Sequence, residues 1–235
     1  MGHHTVTSFG EELDQIDRLI RDMGDLAGEM VSASSQSLFA SDNALAQRVI
    51  SDDTVMDARQ RELDERAITL IAKRQPMAQD LRSVVGAIRM AADLERIGDL
   101  AKNIAKRVSA VGEGATPRTL SHSIDVMARL VMNQITEVIA AYQARDADRL
   151  EKLRLDDKKI DVQYTAVFRE LLTYMMEDPR NITACTHLLF CAKNLERIGD
   201  HVTNIAENAY YIATGRQLPL NRPKADETSA VVDPE

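Results

Sequence analysis

The sequence predicts an all-α protein: two tandem antiparallel three-helix bundles related by an internal pseudo-twofold repeat. Three observations carry this. The 235 residues hold only 4% aromatics and no Trp, while Ala, Leu, Ile, Met, Arg, Glu and Asp dominate, a palette of helices rather than strands. Apolar residues recur at three-and-four spacing through six long stretches. The segment LERIGD occurs twice, at Leu94 to Asp99 and Leu195 to Asp200, each followed four residues on by Asn and then by Ile-Ala.

The elements follow in order. Phe9, Leu13, Ile16, Leu19, Ile20, Met23, Leu26, Ala27 and Met30 mark a first helix running to about Phe39. Ser41-Asp42-Asn43 supplies capping oxygens, and Leu45, Val49, Met56, Leu63, Ala67, Leu70 and Ile71 carry a second helix to Gln75-Pro76. Proline ends it and opens a third, with Leu81, Val84, Val85, Ile88, Ala91, Leu94, Ile97, Ala101, Ile104 and Val108, which stops at Gly112-Glu113-Gly114. Thr116-Pro117 restarts helix, striped by Ile124, Met127, Leu130, Val131, Ile135, Val138 and Ile139 up to Arg145-Asp146. Leu150, Leu153, Ile160, Tyr164, Val167, Phe168, Leu171 and Leu172 give a fifth, ended by Asp178-Pro179. Ile182, Leu188, Leu189, Leu195, Ile198, Val202 and Ile205 give a sixth that ends at Gly215. The expected division is residues 1–113, residues 114–216, and a polar, proline-bearing tail at 217–235, read as disordered.

The formal charge of -8 argues against a nucleic-acid surface, which needs clustered Lys and Arg. Cys185 and Cys191, six apart in a helical stretch, suggest neither a disulfide nor a thiolate metal site and read as small buried hydrophobes. No signal-like segment and no apolar run near 18 residues is present, so the expected location is cytoplasmic.

The duplication extends beyond LERIGD. Asp52-Asp53-Thr54-Val55-Met56-Asp57 is matched by Asp156-Asp157-Lys158-Lys159-Ile160-Asp161, and Pro76 by Pro179. On each LERIGD helix the acids Glu95 and Asp99, or Glu196 and Asp200, fall four apart beside the apolar stripe, with Asn103 and Asn204 four further on. On each preceding helix Asp53 and Asp57, or Asp157 and Asp161, have the same spacing. Residues equidistant from the turn of an antiparallel hairpin lie side by side. Asp53 and Asp57 stand 23 and 19 residues before Pro76, and Asp99 and Glu95 stand 23 and 19 after it. Asp157 and Asp161 stand 21 and 17 residues before Asp178, and Asp200 and Glu196 stand 21 and 17 after Pro179. Each hairpin thus brings four carboxylates to one level, some 30 Å from its turn.

Four gathered carboxylates repel one another unless cations intervene, which points to one metal site on the surface of each bundle. An all-oxygen donor set with Asn alongside suits Mg²⁺, Mn²⁺ or iron better than zinc. Arg96 and Arg197 could instead neutralise the acids as ion pairs on the helix surface. Gly98 and Gly199, in mid-helix, suggest close packing of a neighbouring helix in preference to room for a ligand. His201 stands where the first copy has Leu100 and reads as a solvated helix residue. No Glu has His three residues on, which excludes a ferritin-like di-iron motif, and no phosphate loop, nucleophile elbow or Cys-His pairing occurs. The expectation is a protein without catalysis; a metal or phosphate store and a hydrolase using metal-activated water are the alternatives.

The doubled [D/N]-L-E-R-I-G-D-x-x-x-N-I-A, each copy preceded by an acidic D-D-x-x-φ-D helix, together with R-Q-P-x-x-x-D-L-R at Arg74 to Arg82 and Met23-Gly24, resembles the PhoU family over about residues 8–214. The resemblance implies metal clusters on the acidic motifs, here Asp53, Asp57, Glu95, Asp99, Asp157, Asp161, Glu196 and Asp200, with Asn103 and Asn204 as auxiliaries. It further implies a cytoplasmic regulator of phosphate uptake, often a homodimer, that represses the phosphate-starvation response. Its partners would be the ATPase of the phosphate ABC transporter and the phosphate-sensing histidine kinase, with no nucleic acid, and with the membrane reached only through partners. Asn194 in place of Asp93, and the lack of an R-Q-P turn in the second copy, make equal occupancy of the two sites an open point.

Overall fold

The computed structural model describes residues 2–111 and 118–219. Helix α1 spans Gly2–Ala40, α2 Asn43–Arg74 and α3 Gln79–Ala105, followed by the single turn α4, Val108–Val111. Helix α5 spans Arg118–Ala144, α6 Ala147–Asp156, α7 Lys158–Glu177 and, after a 3₁₀ turn at Pro179–Asn181, α8 Ile182–Thr214. No strand occurs among the described residues. Helices α1, α2 and α3 pack together, as do α5, α8 and the pair α6 and α7.

The turns repeat as faithfully as the helices. Ser41 (φ 52°) and Arg145 (φ 51°) each take left-handed backbone before an Asp N-cap. Asp42 accepts from the Leu45 N–H at 2.9 Å and Asp146 from the Arg149 N–H at 3.0 Å. At the hairpin turns Gln75 is left-handed (φ 49°) beside Pro76, and Asp178 accepts from the Arg180 N–H at 3.0 Å. Each cap satisfies N–H groups that a helix start leaves without partners.

The two sets meet through α3 on α8 and α1 on α5. Gly86 of α3 lies against Ile212, Asp93 against His201, and Arg107 against His187, so α3 and α8 run antiparallel. This is the expected pseudo-twofold relation. The apolar stripes supply the core, including Ile16, Ile20, Met23, Met56, Leu63, Met90, Leu94, Ile97, Ile124, Leu188 and Ile198. Each such side chain contributes roughly 1.5–3 kcal/mol of burial. Cys185 and Cys191 are free and buried, as expected of small hydrophobes.

The structure departs from the periodicity in three ways. The fifth helix is divided at Asp157, where the Ile160 N–H donates to the Asp157 carbonyl in a tightened turn. The third ends at Ala105 because Arg107 turns toward α8, its guanidinium 4.3 Å from the centre of the Phe190 ring. Leu81, Leu172 and Ile182, expected in the stripes, are exposed; Leu81 and Ile182 occupy the first turns of α3 and α8 near the hairpin tips, where neighbouring helices run out. The Gly112 to Gly114 break and the Thr116-Pro117 restart lie outside the described residues, as does the tail from residue 220 on. Residues 217–219, assigned to that tail, are held: Gln217 and Leu218 line a groove, and Arg154 donates to the Pro219 carbonyl.

The mid-helix glycines allow close approach, with different neighbours. A Cβ on Gly98 would meet Met56 Cγ at 3.2 Å and Met30 Cε at 3.5 Å. On Gly199 it would meet Ile160 Cδ1 at 2.8 Å and Asp157 Oδ1 at 2.9 Å. Gly199→Ala is therefore expected to lower unfolding free energy by about 1–3 kcal/mol through overpacking. Gly98→Ala displaces only flexible methionines and gains up to about 1 kcal/mol of helix propensity, so it stays within about 1 kcal/mol of the parent. Urea unfolding of both variants measures the difference; equal stabilities would mean that Asp157 and Ile160 yield as readily as the methionines.

Candidate functional site

The acidic levels form where α3 passes α2 and where α8 passes α6 and α7. On α3 the buried face Leu94, Ile97, Ala101 and Ile104 leaves Glu95 and Asp99 on an adjoining face; on α2, Val49, Met56 and Leu63 do the same for Asp53 and Asp57. Between them stands Lys102, its Nζ 2.6 Å from Asp53 Oδ2 and 2.5 Å from Asp99 Oδ1. The equal-height argument is thus met in space for Asp53 and Asp99. Burial opposes the charge on Lys102, yet its hydrogen bonds to Asp53 and Asp99 hold the ammonium pKa well above the ordinary lysine value.

Glu95 senses the other three acids of this level. Burial pushes the Glu95 carboxyl above the usual carboxylate range, Arg96 beside it opposes the rise, and Asp99, Asp57 and Asp53 add to it. Arg96, expected as a neutralising ion pair, lies 3.4 Å from Glu95 and 3.3 Å from Asp99. Asp53 is buried, and its Oδ1 has no hydrogen-bond partner among the described residues.

The second level is deeper. Asp157, Asp161 and Glu196 are each under 5% exposed, at 3%, 2% and 4%, while Asp200 is half-buried. Asp157 Oδ1 lies in the space that Gly199 leaves open. Burial is again the main cause that raises the Glu196 pKa; Lys193 opposes it, and Asp200 and Asp161 reinforce it. Lys193 Nζ is 2.8 Å from Glu196 Oε2. Arg197, the counterpart of Arg96, is exposed.

The surface location expected for these acids is corrected for Asp53, Asp157, Asp161 and Glu196, which line the seams where packed helices close over them. Lys102 and Lys193 are the residues that sequence reasoning missed. Lys102 stands three residues after Asp99 and Lys193 three before Glu196, a helix-neighbour spacing that could have flagged both. Their positions in the opposite copy hold Thr203 and Ala92, so the cation enters from different sides of the two levels. With the ammonium of Lys102 between Asp53 and Asp99, no group of three or more His, Cys, Asp and Glu side chains among the described residues converges as a coordination shell.

The auxiliary positions separate from the acids. Asn103 is exposed, and Asn204 turns its amide to Asp93 Oδ1 at 3.3 Å. His201 is not a solvated helix residue: its Nδ1 lies 2.9 Å from Asp93 Oδ1, joining α8 to α3. The two departures from the repeat, Asp93 against Asn194 and His201 against Leu100, are therefore one contact.

Comparison with known proteins accords with this arrangement. The PhoU domain model matches residues 20–108 and 124–209, one segment on each half. The "phosphate-specific transport system accessory protein PhoU homolog" of Rhizobium meliloti strain 1021 is 56% identical over 232 residues, covering 98% of both chains. A Caulobacter vibrioides protein of the same name is 46% identical, covering 97% of this chain and 100% of its own length. The crystal structure of PhoU from Pseudomonas aeruginosa superposes with a TM-score of 0.84 at 35% identity, covering 88% of this chain and all of that one. That of the phosphate transport system regulatory protein PhoU from Streptococcus pneumoniae gives 0.83 at 27% identity, covering 90% and 100%. With two matched domains and relatives alike from end to end, the chain belongs to the PhoU family.

Proposed function

We propose that this protein is a regulatory accessory protein of phosphate-specific transport, a non-enzymatic adaptor that links the transporter ATPase to the phosphate-sensing histidine kinase and represses the starvation response when phosphate is plentiful. The observation that carries the reading is the identity of 56% over 98% of both chains with a named accessory protein of that system. A homodimer working in the cytoplasm belongs to the same reading. No described helix is long and apolar enough to cross a membrane, which fits recruitment to the membrane through partners.

We further propose that the acidic levels bind Mn²⁺, Mg²⁺ or iron. Support comes from the all-oxygen donor set, the unpartnered buried oxygen of Asp53, and the burial that, with smaller contributions from the neighbouring aspartates, raises the pKa values of Glu95 and Glu196. Asp53, Asp57, Glu95 and Asp99 would hold the first ion, and Asp157, Asp161, Glu196 and Asp200 the second. A bound cation would supply the neutralising charge that lets each seam close. At the first level it competes with the Lys102 ammonium, which already spans Asp53 and Asp99.

Two outcomes are expected. Deleting the gene and measuring phosphate-responsive expression in high phosphate should show the starvation genes switched on; unchanged repression overturns the regulator reading. Calorimetric titration of chelator-stripped protein with Mn²⁺ should show Lys102→Met binding at least about tenfold more tightly at the first level, because charge-assisted hydrogen bonds of about 1.5–3 kcal/mol no longer have to be broken. Identical titrations of parent and variant would remove Lys102 as a competitor, and no binding in either would remove the metal.

A further inference from the structure

The groove between α3 and α8 gathers arginines along one face of α3, and the last of them, Arg96, reaches the first acidic level. Arg82, Arg89 and Arg96 are spaced seven apart on α3, so two turns, about 10.5 Å, separate each from the next on one face. A cavity of about 530 Å³ is lined by Arg89, Asp93, Arg96, Asn208, Tyr211 and Gln217, among others. A second hollow, lined by Arg82, shares Arg89, Tyr211 and Gln217 with it, so the two are lobes of one groove.

The carboxylates of this groove are already engaged. Asp93 Oδ1 is met by His201 and Asn204, and Glu207 accepts from Arg154 Nε at 2.7 Å. Arg96 is likewise paired with Glu95 and Asp99. Arg82 and Arg89, by contrast, have no carboxylate partner among the described residues, and Arg82 Nε is buried without any hydrogen bond. Arg82 Nε is thus a buried donor that an anion in the groove would satisfy, and the exposed Arg89 stands two turns along the same face.

The backbone shapes the same place. Gly215 ends α8 in left-handed conformation (φ 70°), and a Cβ there would lie 3.3 Å from Arg82 Cζ and Nη2, so the absence of a side chain leaves space for the guanidinium. The chain then folds back, held by Arg154 at Pro219, so that Gln217 closes one side of the groove. Tyr211 and Gln217 add hydroxyl and amide donors to the planar forks of the arginines.

We infer that this groove binds a phosphate group, free or carried by a nucleotide, between Arg82 and Arg89. Because its walls come from α3 of one half and α8 of the other, the bound anion ties the halves together. The site deepens the regulatory reading above and rests on it only for the choice of phosphate as the probe.

Equilibrium dialysis of the full chain, stripped of metal by chelator, against labelled inorganic phosphate and separately against ATP tests it. Saturable binding of either is expected, and which one binds identifies the source of the phosphate group. Arg82→Gln and Arg89→Gln should each weaken binding at least about tenfold, with Arg129→Gln, on the solvent face of α5, as the unaffected control. Arg89 is exposed, so its variant decides the matter should Arg82→Gln fail to fold. No saturable binding of either probe, binding undiminished by Arg89→Gln, or binding only after divalent metal is restored overturns the inference. None of these results bears on the gene-deletion experiment, and unchanged repression there would leave the dialysis result standing.

Discussion

The structure depends on α3 and α8 lying antiparallel against each other while each also serves the core of its own bundle. A helix has one circumference to divide among such contacts, and the LERIGD motif is that division written out. Leu94 and Ile97, with Leu195 and Ile198, turn to the cores; Glu95 and Asp99, with Glu196 and Asp200, turn to the hairpin seams. On the side where the helices meet, Gly86 admits Ile212 and Asp93 meets His201. Little of either surface is left without a partner, which accounts for a motif dense in fixed residue types at helical spacing.

Charge is managed locally. Each level gathers four carboxylates, and each receives one lysine, delivered from a different helix position. Such buried arrangements add little net stability, because desolvation cancels much of the attraction. The groove between the halves has the opposite sign, with its acids paired and two arginines left over. Acidic seams and a basic groove thus lie on different faces of the same two helices.

Much of this was legible in the sequence. The long helical stretches, the hairpin turns and the levelling of Asp53 with Asp99 followed from periodicity, proline and distance from the turn, whereas the division of the fifth stretch at Asp157 did not. Burial of the acids was not legible: amphipathic spacing tells which face a residue occupies, whereas closure of the seam over Asp157 and Glu196 depends on how helices pack across it. The lysines escaped notice because a solvated Lys and a bridging one look alike in sequence. His201 was misread for a related reason, since its partner Asp93 lies in the other copy, more than a hundred residues away.

That contact also bears on recognition. Were the two halves true copies, any protein reading the repeated features would find two equivalent places to dock on each chain. The Asp93 to His201 bridge has no mirror image, because Asn194 and Leu100 occupy the corresponding positions. Likewise the R-Q-P turn stands at one end of the molecule, and an Asp-Pro turn stands at the other. A molecule whose halves would otherwise be interchangeable thereby acquires a head and a tail, although it is built from a doubled motif.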